Sequence, residues 1–90
     1  MKFDNVDLNL TILAEEAAEV IQAICKVKRF GMNSENPLDE EPRTNNEMLE
    51  RELGDFIAMV DILIDQGVIC PKGLYLATEA KRKRLENWYG

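Results

Sequence analysis

Two pairs of acidic residues, Glu16 with Glu19 in LAEEAAEVIQA and Glu52 with Asp55 in LERELGDFIAMVD, have the types and spacing to hold a divalent cation. Each pair is spaced i, i+3, which puts both side chains on one face of a helix turning about 100° per residue. Val27, Ala23, Val20, Ile12 and Leu13 fall within roughly 60° of Glu16, so this acid stands inside an apolar stripe. Leu63, Met59, Phe56, Met48 and Leu49 surround Glu52 in the same way, while Glu47, Glu50, Asp61 and Asp65 point to the opposite, wet side. A lone acid in such a stripe is most simply read as lying at its edge and reaching solvent. Two pairs with the same spacing and setting favour a different reading. Buried carboxylates without a partner are costly, and four of them converging would repel one another, so something positive must sit between them. Hard oxygen donors, in a chain with no histidine and no paired-thiol motif, suit Mg²⁺ or Mn²⁺ rather than zinc or copper.

The elements that must position these acids are helices. A first helix is expected from near Asp7 to about Phe30, capped by Asp7 or Asn5, ended by Gly31, and carrying Lys and Arg in its last turn as the helix dipole prefers. The segment MNSENPLDEEPRTNN breaks the periodicity with two prolines and many polar residues. It reads as a loop with room for a short helical turn, and a loop of this length in a small domain is often functional. A second helix starts at Thr44 to Asn46 and runs to Gln66, where Gly67 stops it; a third runs from near Pro71 to about Trp88. No period-2 alternation competes with these patterns. The expected fold class is therefore all-α: an antiparallel helical bundle of three long helices, with the possible extra turn in the 31–45 loop.

The third helix places a cation where the first two place acids. Relative to Lys81, the residues Trp88, Leu74, Leu85 and Ala77 lie within roughly 40°, and Arg84 sits about 60° to one side. A lysine in mid-stripe usually snorkels, its stem buried and its ammonium in water. Beside a metal held by acids it has a second use, since Lys81 could hold the phosphates of a metal-bound ligand, with Arg84 adding a forked contact. Lys26, Lys28 and Arg29 form another cluster able to hold a small anion, and Lys28 is taken as its phosphate-binding candidate.

Ninety residues make one domain, 1–90, near the small end of what folds alone, so self-association is expected. With 46% hydrophobic and 31% charged residues, and no apolar run near the roughly 20 residues needed to cross a bilayer, membrane insertion is not expected. The opening MKFDNVDLNL carries acids and lacks a long apolar core, which argues against a secretory signal and for a cytoplasmic protein, in the host cytoplasm if phage-encoded. A net charge of −6 disfavours binding to a nucleic-acid polymer, which is driven by phosphate neutralisation. Cys25 and Cys70 stand far apart and read as small, partly buried residues without chemistry.

The residues resemble the MazG-like, all-α nucleoside triphosphate pyrophosphohydrolases. That family is marked by E-E-x-x-E on one helix and E-x-x-D on the next, which here are Glu15-Glu16-Ala17-Ala18-Glu19 and Glu52-Leu53-Gly54-Asp55. The similarity continues in Lys26-Val27-Lys28-Arg29-Phe30-Gly31 and in a basic final helix, and so covers most of the chain. The motifs stand somewhat further apart than in compact members, and the excess falls in the Pro-containing loop. The resemblance implies helical bundles that form homodimers or homotetramers and split (d)NTP into (d)NMP and pyrophosphate. It implies Glu16, Glu19, Glu52 and Asp55 as the Mg²⁺ or Mn²⁺ ligands. Glu15, about 100° around the helix from Glu16, would orient a ligand, help activate water or face solvent. Catalysis would then be attack by a positioned water, at the α-phosphorus, with no covalent nucleophile. For the base, Asn9, Ile12 and Asn33 are candidates, with a purine deoxynucleotide as the expected substrate. Nucleotide housecleaning and control of a dNTP pool, as in phage infection, both suit this chemistry.

Two rivals remain. One is a non-catalytic helical interaction module, in which acids and stripes serve only solubility and packing. The other is a di-iron carboxylate bundle, which normally supplies Glu-x-x-His pairs that this chain has no histidine to make.

Overall fold

The computed structural model describes residues 4–89, so the first three residues of the opening segment read above lie outside the described part. Three helices follow in order, α1 (Val6–Phe30), α2 (Asn45–Asp65) and α3 (Pro71–Tyr89). Each boundary has a local cause. Asn5 caps α1, its side-chain oxygen accepting from the Leu8 N–H at 3.0 Å. At the other end the Gly31 N–H donates to Val27 O, and Gly31 takes φ +93°, a conformation that costs glycine little and other residues much. A reciprocal box starts α2: Glu47 N–H donates to Thr44 Oγ1 at 3.1 Å, and Thr44 N–H donates to Glu47 Oε1 at 3.0 Å. The Thr44 bonds, backbone first, hold the Glu47 carboxyl below its ordinary pKa. At its end, Val68 N–H donates to Leu63 O and Gly67 N–H to Ile64 O, the paired bonds of a Schellman motif with Gly67 at φ +75°.

α1 and α2 form an antiparallel hairpin. The start of α1 meets the end of α2 where Asn9 Nδ2 donates to Gln66 Oε1 at 3.0 Å, and the end of α1 meets the start of α2 where Asn45 Nδ2 donates to Gly31 O at 3.0 Å. The seam between them holds Ala23, Met59 and Leu63, the buried apolar residues among those described, with Val20, Val27, Phe56 and Met48 half-buried alongside. All seven belong to the stripes read around Glu16 and Glu52.

Three expectations need correction. The 31–45 segment holds no helical turn; it is pinned by an antiparallel bridge between Glu35 and Thr44 and by backbone bonds from Asn45 to Ser34 and Asn46 to Met32. Pro37 and Pro42 remove donors, and the Asn36 side chain takes the Leu38 N–H, so turns win over helix. The three-helix bundle is not formed within one chain, because α3 buries none of its residues and only Leu85 is half-buried. The molecule is accordingly flat, 44 × 42 × 15 Å, little more than one helix thick, and its radius of gyration of 16.2 Å exceeds the roughly 12 Å of a compact chain of this length. Cys25 and Cys70 are exposed rather than partly buried, since both fall off the seam. No helix among the described residues is long and apolar enough to cross a membrane.

Candidate metal centre

The hairpin brings both acid pairs to one point. Glu16, Glu19, Glu52 and Asp55 each offer a carboxylate oxygen, and these atoms all lie within 4.8 Å of one another. The i, i+3 spacing aligns the acids within each helix, and the antiparallel seam sets the two pairs opposite each other. Glu16 and Glu52 are half-buried, whereas Glu19 and Asp55 are exposed. One oxygen of Glu16 and one of Glu52, Oε2 in each, are buried with no hydrogen-bond partner. Buried polar atoms in folded proteins are nearly always paired, so two orphaned carboxylate oxygens at one spot fit a site that a positive group would satisfy.

The titration of these groups carries the same sign. Burial pushes the Glu16 carboxyl above its ordinary pKa, and the charges of Glu19 and Asp55, a hydrogen bond with Glu19 and the charge of Glu15 push it further. Glu52 is raised first by a hydrogen bond with Glu19, then by burial, then by the charges of Glu19, Asp55 and Glu16. A hydrogen bond between two carboxyl groups needs a proton on one of them. Protons and a divalent cation are thus alternative ways to neutralise the quartet. The donor set is oxygen alone, and its chemistry fits a hard ion such as Mg²⁺ or Mn²⁺.

A cleft of about 260 Å³ opens beside Glu19 and Glu52, lined also by Gln22, Ala23, Lys26, Asn45 and Met48. Sequence reading missed Gln22 and Asn45 here, and it named Lys26 only within the basic cluster with Lys28 and Arg29. Lys26 did carry a signal: it stands seven residues after Glu19, two turns on and about 20° off in direction. Other candidates lie elsewhere. Lys28 is exposed on α1 and does not line the cleft; Lys81 and Arg84 are exposed on α3 and do not line it either. Glu15 is exposed, and it bears on the cluster as the weakest of the charges acting on Glu16. Ile12 is half-buried one turn before Glu16, and Asn33 is exposed in the loop. Asn9 is buried at 3% exposure and engaged with Gln66.

Residues 5–68 match the family model described as the MazG nucleotide pyrophosphohydrolase domain. The match takes in both acid pairs, the loop and the hairpin, and stops before α3. No curated protein and no solved structure matches the chain.

Proposed function

The chain belongs to the MazG nucleotide pyrophosphohydrolase family, and on that premise we propose that it hydrolyses a (deoxy)nucleoside triphosphate to the monophosphate and pyrophosphate, with Mg²⁺ or Mn²⁺ held by Glu16, Glu19, Glu52 and Asp55. The observation that carries the reading is the pair of orphaned, buried carboxylate oxygens on Glu16 and Glu52 within a four-acid cluster. An interaction module has no use for such an arrangement, because an unpaired buried carboxylate only destabilises it.

When bound, the metal would neutralise phosphate oxygens and make a water acidic enough to attack at neutral pH. The chain's own groups do the rest. Glu16 and Glu52, half-buried and anchored in the seam, fix the position of the cluster, while Glu19 and Asp55 present their oxygens at its open side. A carboxylate at the edge of the quartet, or Glu15 beside it, takes the proton of a water that attacks the α-phosphorus as the bond to pyrophosphate breaks. Lys26, in the cleft with Glu19 and Glu52, offsets phosphate charge. The flat, single-layer shape supports a homodimer or homotetramer, since domains are normally built from at least two packed layers. In such an assembly Lys81 and Arg84 would join the site from a second copy, with Lys28 contributing at its margin. The role is control or housecleaning of the cytoplasmic nucleotide pool, with a purine deoxynucleotide as substrate.

The test is product analysis. Purified protein is incubated with each canonical NTP and dNTP in Mg²⁺ or Mn²⁺, and the products are separated by chromatography. Monophosphate with pyrophosphate is expected, and EDTA should abolish it. Diphosphate with orthophosphate, or no turnover of any nucleotide, would overturn the proposal.

A further inference from the structure

A second cavity, of about 540 Å³, lies between the end of α1, the 31–44 loop and the start of α2. It shares Lys26, Asn45 and Met48 with the cleft at Glu19 and Glu52, so the two adjoin and line a trough from the acid quartet toward the loop. The loop wall is not slack chain. Asn45 donates from its side chain to Gly31 O and from its backbone to Ser34 O, and the Glu35–Thr44 bridge closes the strap, so the wall is held to both helices at once.

The far end of the trough differs in character from the quartet. Apart from the shared Lys26, its ionisable groups are Glu35 and Asp39 against Arg43, one more acid than base. A phosphate chain would gain little there. A neutral, flat ligand with polar edges would gain more: Phe30 and Pro37 offer ring faces, Glu35 and Asp39 offer acceptors, and Arg43 offers donors. Its volume lies in the range of small-ligand sites, which bind through apolar faces and a few placed polar groups.

We propose that the loop cavity is the nucleoside subsite, so that the base and sugar of the substrate lie against Phe30, Arg43 and the 34–39 strap, while the phosphates point back along the trough toward the acids. This rests on the pyrophosphohydrolase reading and adds a direction to it. The nucleoside goes to the loop end of the hairpin, away from Asn9 and Ile12. It also gives the long segment between the two acid motifs a task, namely reading the base.

The experiment compares two ligands on the full chain by calorimetry in Mg²⁺: a non-hydrolysable α,β-imido deoxynucleoside triphosphate, and inorganic tripolyphosphate, which lacks a nucleoside. Phe30→Ala removes a ring face, Arg43→Ala a donor, and Ser34→Trp fills the cavity. Each should weaken the nucleotide about tenfold or more while tripolyphosphate affinity holds within about twofold. Thermal melting identifies any variant that fails to fold, and the remaining ones carry the test. If both ligands weaken together, or neither does, the nucleoside lies elsewhere and the proposal is wrong although the metal reading stands. If the unsubstituted protein binds neither ligand in Mg²⁺, both readings fall together.

Discussion

Two places along one seam bury polar groups, and they treat them oppositely. Where the start of α1 meets the end of α2, Asn9 is almost wholly buried and its amide donates to Gln66. Midway along the same hairpin, Glu16 and Glu52 each bury one oxygen that has no hydrogen-bond partner. A net hydrogen bond is worth about 1 kcal/mol, but a buried group left without one costs up to about 3 kcal/mol, and more if charged. The first place therefore holds the hairpin together. The second weakens it, a cost that the cation of the proposed function would relieve and that suits a site kept for function rather than stability.

The largest effect expected from this contrast is at the quartet. Glu52→Gln should lower hydrolysis by about a hundredfold or more, because even groups one step removed from a metal commonly cost 10–100-fold in affinity or activity. The same change removes a charge from a repelling cluster, so the metal-free protein should melt no lower than the parent. A melting temperature that falls with activity would mean that Glu52 is structural, and the contrast would be broken.

At the other end the order reverses. Asn9→Ala should cost about 1–3 kcal/mol of stability by removing the part-buried hydrogen bond from Asn9 to Gln66 Oε1. Melting in the presence and absence of Mg²⁺ should show the same loss in both, since the residue is engaged with Gln66 and lies two helical turns from Glu16. An unchanged melting temperature would remove the structural role given to Asn9.

The smallest effect is the response to pH, whose sign separates the quartet from the capping box at Glu47. Glu16 and Glu52 have pKa values raised in the folded state, so the native chain binds more protons than the unfolded chain once pH exceeds the ordinary value of 4.5. The stability this supplies is complete below that value and is lost as pH rises through the raised pKa values. Metal-free protein should therefore melt at progressively lower temperature on going from pH 4 to neutrality as far as these two groups determine it. Saturating Mg²⁺ should cancel the loss by replacing the protons. Glu47 works the other way: its lowered pKa supplies stability above 4.5 that disappears as pH falls through its folded value, and Mg²⁺ should not alter that. Thermal melts in EDTA and in Mg²⁺, with parent and Thr44→Ala chains, would separate the two contributions.

Much of this was written in short-range pattern. The caps Asn5 and Thr44, the stop at Gly67, the stripe residues Ala23, Met59 and Leu63 and the i, i+3 acids all depend on neighbours within two turns of helix, where 3.6-residue periodicity is a sufficient guide. Helix ends were read to within about a residue or two for the same reason. What only the tertiary structure decided involves residues distant along the chain. Periodicity says which way Lys81 points on α3, but not that α3 stands off the α1–α2 pair and leaves Lys81 and Arg84 exposed. The antiparallel register sets Asn9 against Gln66, fifty-seven residues away, a pairing that no local pattern specifies. Lys26 and Asn45 share the acids' cleft because the pinned loop folds the end of α1 onto the start of α2. Spacing on one helix is dictated by local geometry, whereas the meeting of two helices depends on which faces find enough apolar area to bury, and that is settled only when the chain packs.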